Sequence, residues 1–102
     1  MLSNHPVQIS TIAKKEIIET LNSNKIPSDY GLRVGIKGGG CSAQFLLGFD
    51  LPSAQDQVYV IDTIKVIIDK RHLMYVMGTE VDFEENEVSS GFTIIKESTL
   101  SL

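Results

Sequence analysis

The spacing of the apolar residues changes near Tyr30, and this change constrains the fold more than any other feature of the chain. Before it, the stretch from Ser10 to Leu21 has a period of about 3.6 residues, which is typical of an amphipathic helix. Ser10 is placed to accept hydrogen bonds from the free N–H groups of the first turn. The face predicted to be buried carries Ile9, Ile12, Ala13, Ile17 and Leu21.

After Tyr30, apolar and polar residues alternate in short stretches, which is the pattern of half-buried strands. The predicted strands are 32–36, 45–51, 58–61, 64–68, 80–84 and 91–95. Asp62 and Thr63 separate the third strand from the fourth and predict a hairpin. Residues 73–77 fit either a short helix or a strand. One helix followed by six or seven strands predicts a mainly β protein, on the border between the all-β and α+β classes, built as a sandwich or barrel with the helix covering one side.

Length and composition exclude several classes of protein. A chain of 102 residues has room for one core, so residues 1–102 are predicted to form a single domain. The longest apolar run, residues 73–77, is far short of the roughly 20 residues that span a membrane. The single cysteine rules out an intrachain disulfide framework. Because the N-terminus also has no signal pattern, a cytoplasmic location is predicted.

The second half of the chain is acidic. Five of its acids lie between residues 80 and 87, and we call residues 80–87 the acidic segment. Negative charge repels phosphate backbones, which disfavours nucleic-acid binding as the main function. The acidic segment is interpreted as a solvated strand and turn rather than as a docking patch for a partner protein.

The segment of greatest chemical interest is Lys-Gly-Gly-Gly-Cys-Ser-Ala at residues 37–43. It has no Gly-Lys-Ser/Thr ending of a phosphate loop, and the strand that follows it disfavours a dinucleotide-binding turn. Glycines let a backbone approach a ligand closely, and backbone N–H groups near Cys41 can stabilise a thiolate, the form that binds metals. A buried, unreactive cysteine is the alternative. The residues alone leave both interpretations open.

Residues 31–34, Gly-Leu-Arg-Val, followed by Gly39, Gly40, Cys41 and Ser42, resemble the A-type iron–sulfur carrier family, also called HesB/IscA-like. Further matching pieces follow in the order usual for that family, at residues 44–50, 66–69, 78–83 and 91–92. The ordered set covers roughly residues 7–95, and its specificity comes from the order rather than from any one piece.

The resemblance implies a HesB-like sandwich or barrel of short mixed strands that forms a homodimer or tetramer. Family members bind iron or an iron–sulfur cluster at subunit interfaces and exchange it with assembly proteins or recipient apoproteins, so a carrier rather than an enzyme is expected. Their ligands are a cysteine in the glycine loop and a pair in a C-terminal Cys-Gly-Cys. Only the first has a counterpart here, Cys41, with the amides of Gly39, Gly40 and Ser42 as its expected supports.

The expected ligand set is therefore reduced or altered. Iron–sulfur clusters ordinarily need about four thiolates, and two copies of this chain supply two. His72 stands where the family usually has serine, but a surface or capping role is favoured over a ligand role. His5 and Glu97 are weaker candidates, and Asp69 is expected to form a turn or cap. Met74 and Met77 could be soft ligands, although core packing is favoured.

No Ser/His/Asp or Cys-x-x-Cys arrangement suggests an enzyme. The alternative function is an interaction module that retains the fold without cluster chemistry. An accessible, reactive Cys41 favours the carrier, and a buried, unreactive one favours the interaction module.

Overall fold

The computed structural model describes residues 5–38, 44–88 and 90–96. Seven strands and two helices follow one another along these residues. In chain order they are β1 (Val7–Ile9), α1 (Thr11–Ser23), β2 (Gly31–Lys37), β3 (Gln44–Asp50), β4 (Asp56–Ile61), β5 (Ile64–Asp69), a 3₁₀ turn (Lys70–His72), α2 (Leu73–Val76), β6 (Thr79–Glu85) and β7 (Ser90–Lys96).

The strands form two mixed sheets. The larger has the order β3-β2-β5-β4, in which β2 and β5 are parallel and the outer pairs are antiparallel. The smaller has the order β1-β6-β7, with β1 parallel to β6. Buried residues from both sheets and from α1 belong to one apolar cluster. The prediction of a mainly β fold of short mixed strands with an N-terminal helix is confirmed.

The predicted helix start and hairpin turn are both present. Ser10 caps α1, since its Oγ accepts from the Ala13 N–H at 3.1 Å, and the same hydroxyl donates to Asp82 of β6 at 2.6 Å. This second bond lowers the pKa of Asp82 and ties the helix to the smaller sheet. Asp62 and Thr63 have φ values of 47° and 71°, the left-handed values that a tight hairpin turn requires. Asp62 also forms an ion pair with Lys14 of α1.

The expectation that Ile12 belongs to the buried face of the helix is wrong, because its side chain is 59% exposed. The helix packs inward through Ala13 and Ile17, which are fully buried. Successive residues are turned by about 100° around a helix, so the residue before Ala13 falls at the rim of this face. Ile9 is buried as expected, but as the last residue of β1, a strand that sequence reasoning missed.

The expectation that Met74 and Met77 pack in the core is also wrong. Their exposed fractions are 83% and 50%, whereas Val76 is fully buried and Leu73 packs against the core. Residues 73–76 form the helix of the two possibilities that the sequence left open. A single helical turn buries residues three apart on one side, and here these are Leu73 and Val76.

Gly31 at the start of β2 allows close packing against β5. A Cβ there would lie 2.9 Å from the Ile67 side chain and 3.0 Å from the Lys65 carbonyl oxygen. We expect Gly31→Ala to lower the free energy of unfolding by about 1–3 kcal/mol, the usual cost of overpacking. Urea denaturation followed by circular dichroism measures it. Gly48→Ala is the matched control, since a Cβ at Gly48 meets nothing within 4 Å. Equal stabilities of the two variants would contradict the prediction.

Candidate metal centre

The four residues predicted to form the site, Gly39, Gly40, Cys41 and Ser42, lie outside the described residues. The structure does describe the strands that lead to them. β2 and β3 pair without interruption from Gly31 opposite Asp50 to Lys37 opposite Gln44. Lys37 and Gln44 therefore lie side by side at one end of the larger sheet, which we call the hairpin end and define by Lys37, Gly38 and Gln44. Gly38 has a φ of 83°, a left-handed conformation that favours glycine.

His72 lies beside the last residues of β2. Its Nδ1 accepts a long hydrogen bond, 3.4 Å, from the Ile36 N–H. The ring rests on Gly35, where a Cβ would lie 2.8 Å from Nδ1. Nδ1 is thus used as an acceptor, which in a neutral ring leaves the proton on Nε2. The imidazole is half-buried against the strand that leads to the hairpin end.

Asp69 caps the turn that carries His72, which confirms the prediction that Asp69 forms a turn or cap. Its carboxylate accepts from the Arg71 N–H at 2.8 Å and from the Arg71 guanidinium at 2.6 and 3.0 Å. The guanidinium and the backbone N–H together hold the pKa of Asp69 well below its usual range. Asp69 is thus the cap of the 3₁₀ turn Lys70–His72.

A network of ion pairs lies at the end of the β2–β3 pair opposite the hairpin end. Sequence reasoning did not predict it. Arg33 donates two bonds to Asp56, at 2.8 and 2.7 Å, and a third to Asp50 at 2.8 Å. The Asp56 side chain is 1% exposed, and the Arg33 guanidinium lowers its pKa to about 2. The sequence signal was an arginine between apolar strand positions with acids at two strand ends. Arg33 thus joins β2 to β3 and β4, and these ion pairs lie at the other end of the strands from the hairpin end.

The other candidate ligands are not brought together. His5 makes an edge contact with Tyr59, with the ring centres 6.2 Å apart, and Glu97 lies outside the described residues. Within the ranges 5–38, 44–88 and 90–96, no three His, Cys, Asp or Glu side chains are grouped closely enough to hold a metal ion. In the acidic segment, Glu84 and Glu85 are exposed at the end of β6.

Apolar side chains are exposed near the hairpin end. Phe45 and Leu46, the second and third residues of β3, are 39% and 38% exposed. They lie opposite Ile36 and Gly35, the two residues of β2 that contact His72. No helix in the part of the chain that the structure describes is long and apolar enough to cross a membrane.

Comparison with known proteins identifies the family. A family model described as iron–sulphur cluster biosynthesis matches residues 5–99. The iron-binding protein IscA of Xenorhabdus nematophila is 39% identical over 88 residues, which cover 84% of this chain and 80% of that protein. The iron–sulfur cluster insertion protein ErpA of Xanthomonas oryzae pv. oryzae (strain MAFF 311018) is 34% identical over 93 residues, which cover 89% of this chain and 72% of that protein.

A solved structure has the same fold. The crystal structure of Escherichia coli SufA matches with a TM-score of 0.73 and 23% identity, covering 93% of this chain and 89% of that one. The resemblance read from the glycine loop and the pieces that follow it is thereby confirmed. From the match over residues 5–99 and the two relatives that cover most of its length, the chain belongs to the iron–sulphur cluster biosynthesis family.

Proposed function

We propose that this protein acts in iron–sulfur cluster biosynthesis as a carrier, and that it binds iron or an iron–sulfur cluster through Cys41. The observation that carries the proposal is the family match over residues 5–99, which include Cys41. Two relatives that cover most of this chain are named as an iron-binding protein and an iron–sulfur cluster insertion protein. The role is one of binding and transfer to an apoprotein rather than catalysis, and it belongs to the reducing cytoplasm, where a lone thiol stays reduced.

The position of Cys41 in the chain, between the paired strands β2 and β3, supports this role. Cys41 precedes Gln44 of the hairpin end by three residues, and three residues of chain span at most about 11 Å. The amides of Gly39, Gly40 and Ser42 are the backbone donors adjacent to the thiol in the chain. Hydrogen bonds from such donors favour the thiolate over the thiol.

The single thiol of each chain favours a metal centre shared between two copies of the protein. Each chain holds one cysteine, whereas clusters are ordinarily held by about four thiolates. We propose that two copies meet so that their Cys41 thiolates share one metal centre, with the remaining positions filled by small thiols or by groups of the recipient protein. The exposed Phe45 and Leu46 near the hairpin end are apolar surface that such an interface would bury.

Anaerobic reconstitution with ferrous iron, sulfide and a small thiol tests the proposal. The expected result is visible sulfide-to-iron absorption together with iron that co-elutes with a species of two or more chains. Desalting, iron counting and native mass spectrometry measure these quantities. A protein that binds no iron under these conditions would contradict the proposal and would favour an interaction module without cluster chemistry.

A further inference from the structure

β2, the strand that precedes Cys41, lies between β3 and β5 and extends further than β5 at the hairpin end. β2 and β5 pair in parallel, with Leu32 opposite Val66 and Arg33 opposite Ile67. Continued in the same register, this pairing would place Ile36 opposite Lys70. However, β5 ends at Asp69, and Lys70 already belongs to the 3₁₀ turn. β3 pairs with one side of β2 up to Lys37, but on the β5 side the end of β2 extends past the strand that would otherwise accept its hydrogen bonds.

The His72 imidazole occupies the place of the missing strand. The Ile36 N–H donates to Nδ1 of this ring at 3.4 Å. The ring can approach so closely because residue 35 is glycine, and a Cβ there would lie 2.8 Å from Nδ1. On the other side, the Asp69 carboxylate accepts from the Arg71 N–H at 2.8 Å and thereby fixes the turn that carries His72. Gly35, Asp69 and Arg71 together place the His72 ring against the Ile36 N–H.

We propose that His72 is a positioning residue, which fixes the end of β2 through Nδ1 and so sets the direction in which the chain enters the segment that carries Cys41. This inference deepens the proposed function and rests on it. A backbone N–H without an acceptor at the end of a strand lets the strand fray. Holding the Ile36 N–H limits the positions that a thiol five residues further on can reach. His72 therefore acts on the metal centre through the backbone rather than as a ligand.

Two substitutions separate positioning from ligation. The amide oxygen of asparagine is as many bonds from the backbone as Nδ1, so His72→Asn retains an acceptor where Ile36 needs one. The amide of glutamine reaches the position of Nε2, the nitrogen that would bind a metal if Nδ1 gave up its acceptor role and took the proton, so His72→Gln supplies no acceptor at the position of Nδ1. Positioning predicts that asparagine substitutes for histidine and glutamine does not. A ligand role through Nε2 predicts that asparagine fails.

The direct measurement is amide hydrogen exchange at Ile36 in the metal-free protein, followed by NMR. We expect exchange to be faster by up to about fivefold in His72→Ala and His72→Gln, since losing an ordinary hydrogen bond has that effect and this one is long, and near wild-type exchange in His72→Asn. The reaction rate of Cys41 with a thiol reagent and the iron affinity after reconstitution should follow the same order. Gly35→Ala, which displaces the ring, should resemble His72→Ala, and Gly48→Ala is its control.

Each outcome decides for or against the inference. Unchanged Ile36 exchange and Cys41 reactivity in His72→Gln, or loss of iron affinity in His72→Asn with Ile36 exchange unaffected, would overturn it. If His72→Ala does not fold, the comparison of the asparagine and glutamine variants decides. The exchange and thiol measurements need no metal. A wild-type protein that binds no iron but shows the expected order in both would refute the proposed function and leave the positioning contact established.

Discussion

Cys41→Ser is expected to abolish the visible absorption and the bound iron of the reconstituted protein. A serine hydroxyl is too weak an acid to supply the soft anionic ligand that cluster iron requires. The chain has no second cysteine that could take over. We expect less than about a tenth of the wild-type iron to remain after anaerobic desalting, since ligand loss affects every copy in the assembly. Absorption spectra and iron counting of the two proteins measure the effect.

Met74→Ser is the control for this experiment. It removes a different sulfur atom, one that is exposed, because Met74 is 83% exposed and lies in α2 outside the core. We expect this variant to bind iron as the wild-type protein does. If instead Cys41→Ser retained the absorption bands and Met74→Ser lost them, the thioether would be the ligand and the assignment of Cys41 would be wrong.

Asp56→Asn is expected to lower the free energy of unfolding by about 2–3 kcal/mol at neutral pH. The Arg33 guanidinium lowers the pKa of Asp56 to about 2, against an ordinary value of 3.8. That difference corresponds to about 2 kcal/mol of stability. The Asp56 side chain is 1% exposed and that of Arg33 is 18% exposed, so removal of the charge leaves a mostly buried guanidinium without its main partner. For a domain of this size the midpoint of thermal unfolding should fall by about 8–20 °C.

The pH dependence gives a second measurement of the same contact. A lowered pKa means that Asp56 contributes its stability above the unfolded value near 3.8 and loses it as the pH falls through about 2. The difference in stability between wild type and Asp56→Asn should therefore shrink from pH 5 toward pH 2. Asp50→Asn is the control, because that carboxylate is 55% exposed, and we expect it to cost clearly less stability than Asp56→Asn. A constant difference across the acid range would show that the lost stability is not due to the Asp56 charge.

Local patterns predicted the elements well. The alternation in residues 32–36 and 80–84, the cap at Ser10 and the turn at Asp62 all have the predicted form in the structure. Each depends on a few neighbouring residues whose preferences are local. The family was inferred from an ordered set of short motifs along the chain. The expectation that Cys41 is a ligand came from that resemblance.

The errors concern which side chains are buried. Ile12 and Met74 are apolar and lie beside buried positions, yet they are exposed. Burial of a side chain depends on which other helices and strands pack against it. β1 was missed because a strand of three residues has almost no period, and it is stabilised by parallel pairing with β6, more than 70 residues away.

The sequence by itself determined that this is a mainly β carrier-family chain with one cysteine in a glycine loop, because residue order, composition and short-range periodicity are properties of the chain. Only the tertiary structure decided that His72 lies against Gly35 and accepts from the Ile36 N–H, and that Arg33 joins three strands through Asp50 and Asp56. These contacts join residues 17 to 37 positions apart. They exist because the sheet register aligns those residues, and the spacing of residues along a chain does not specify that register.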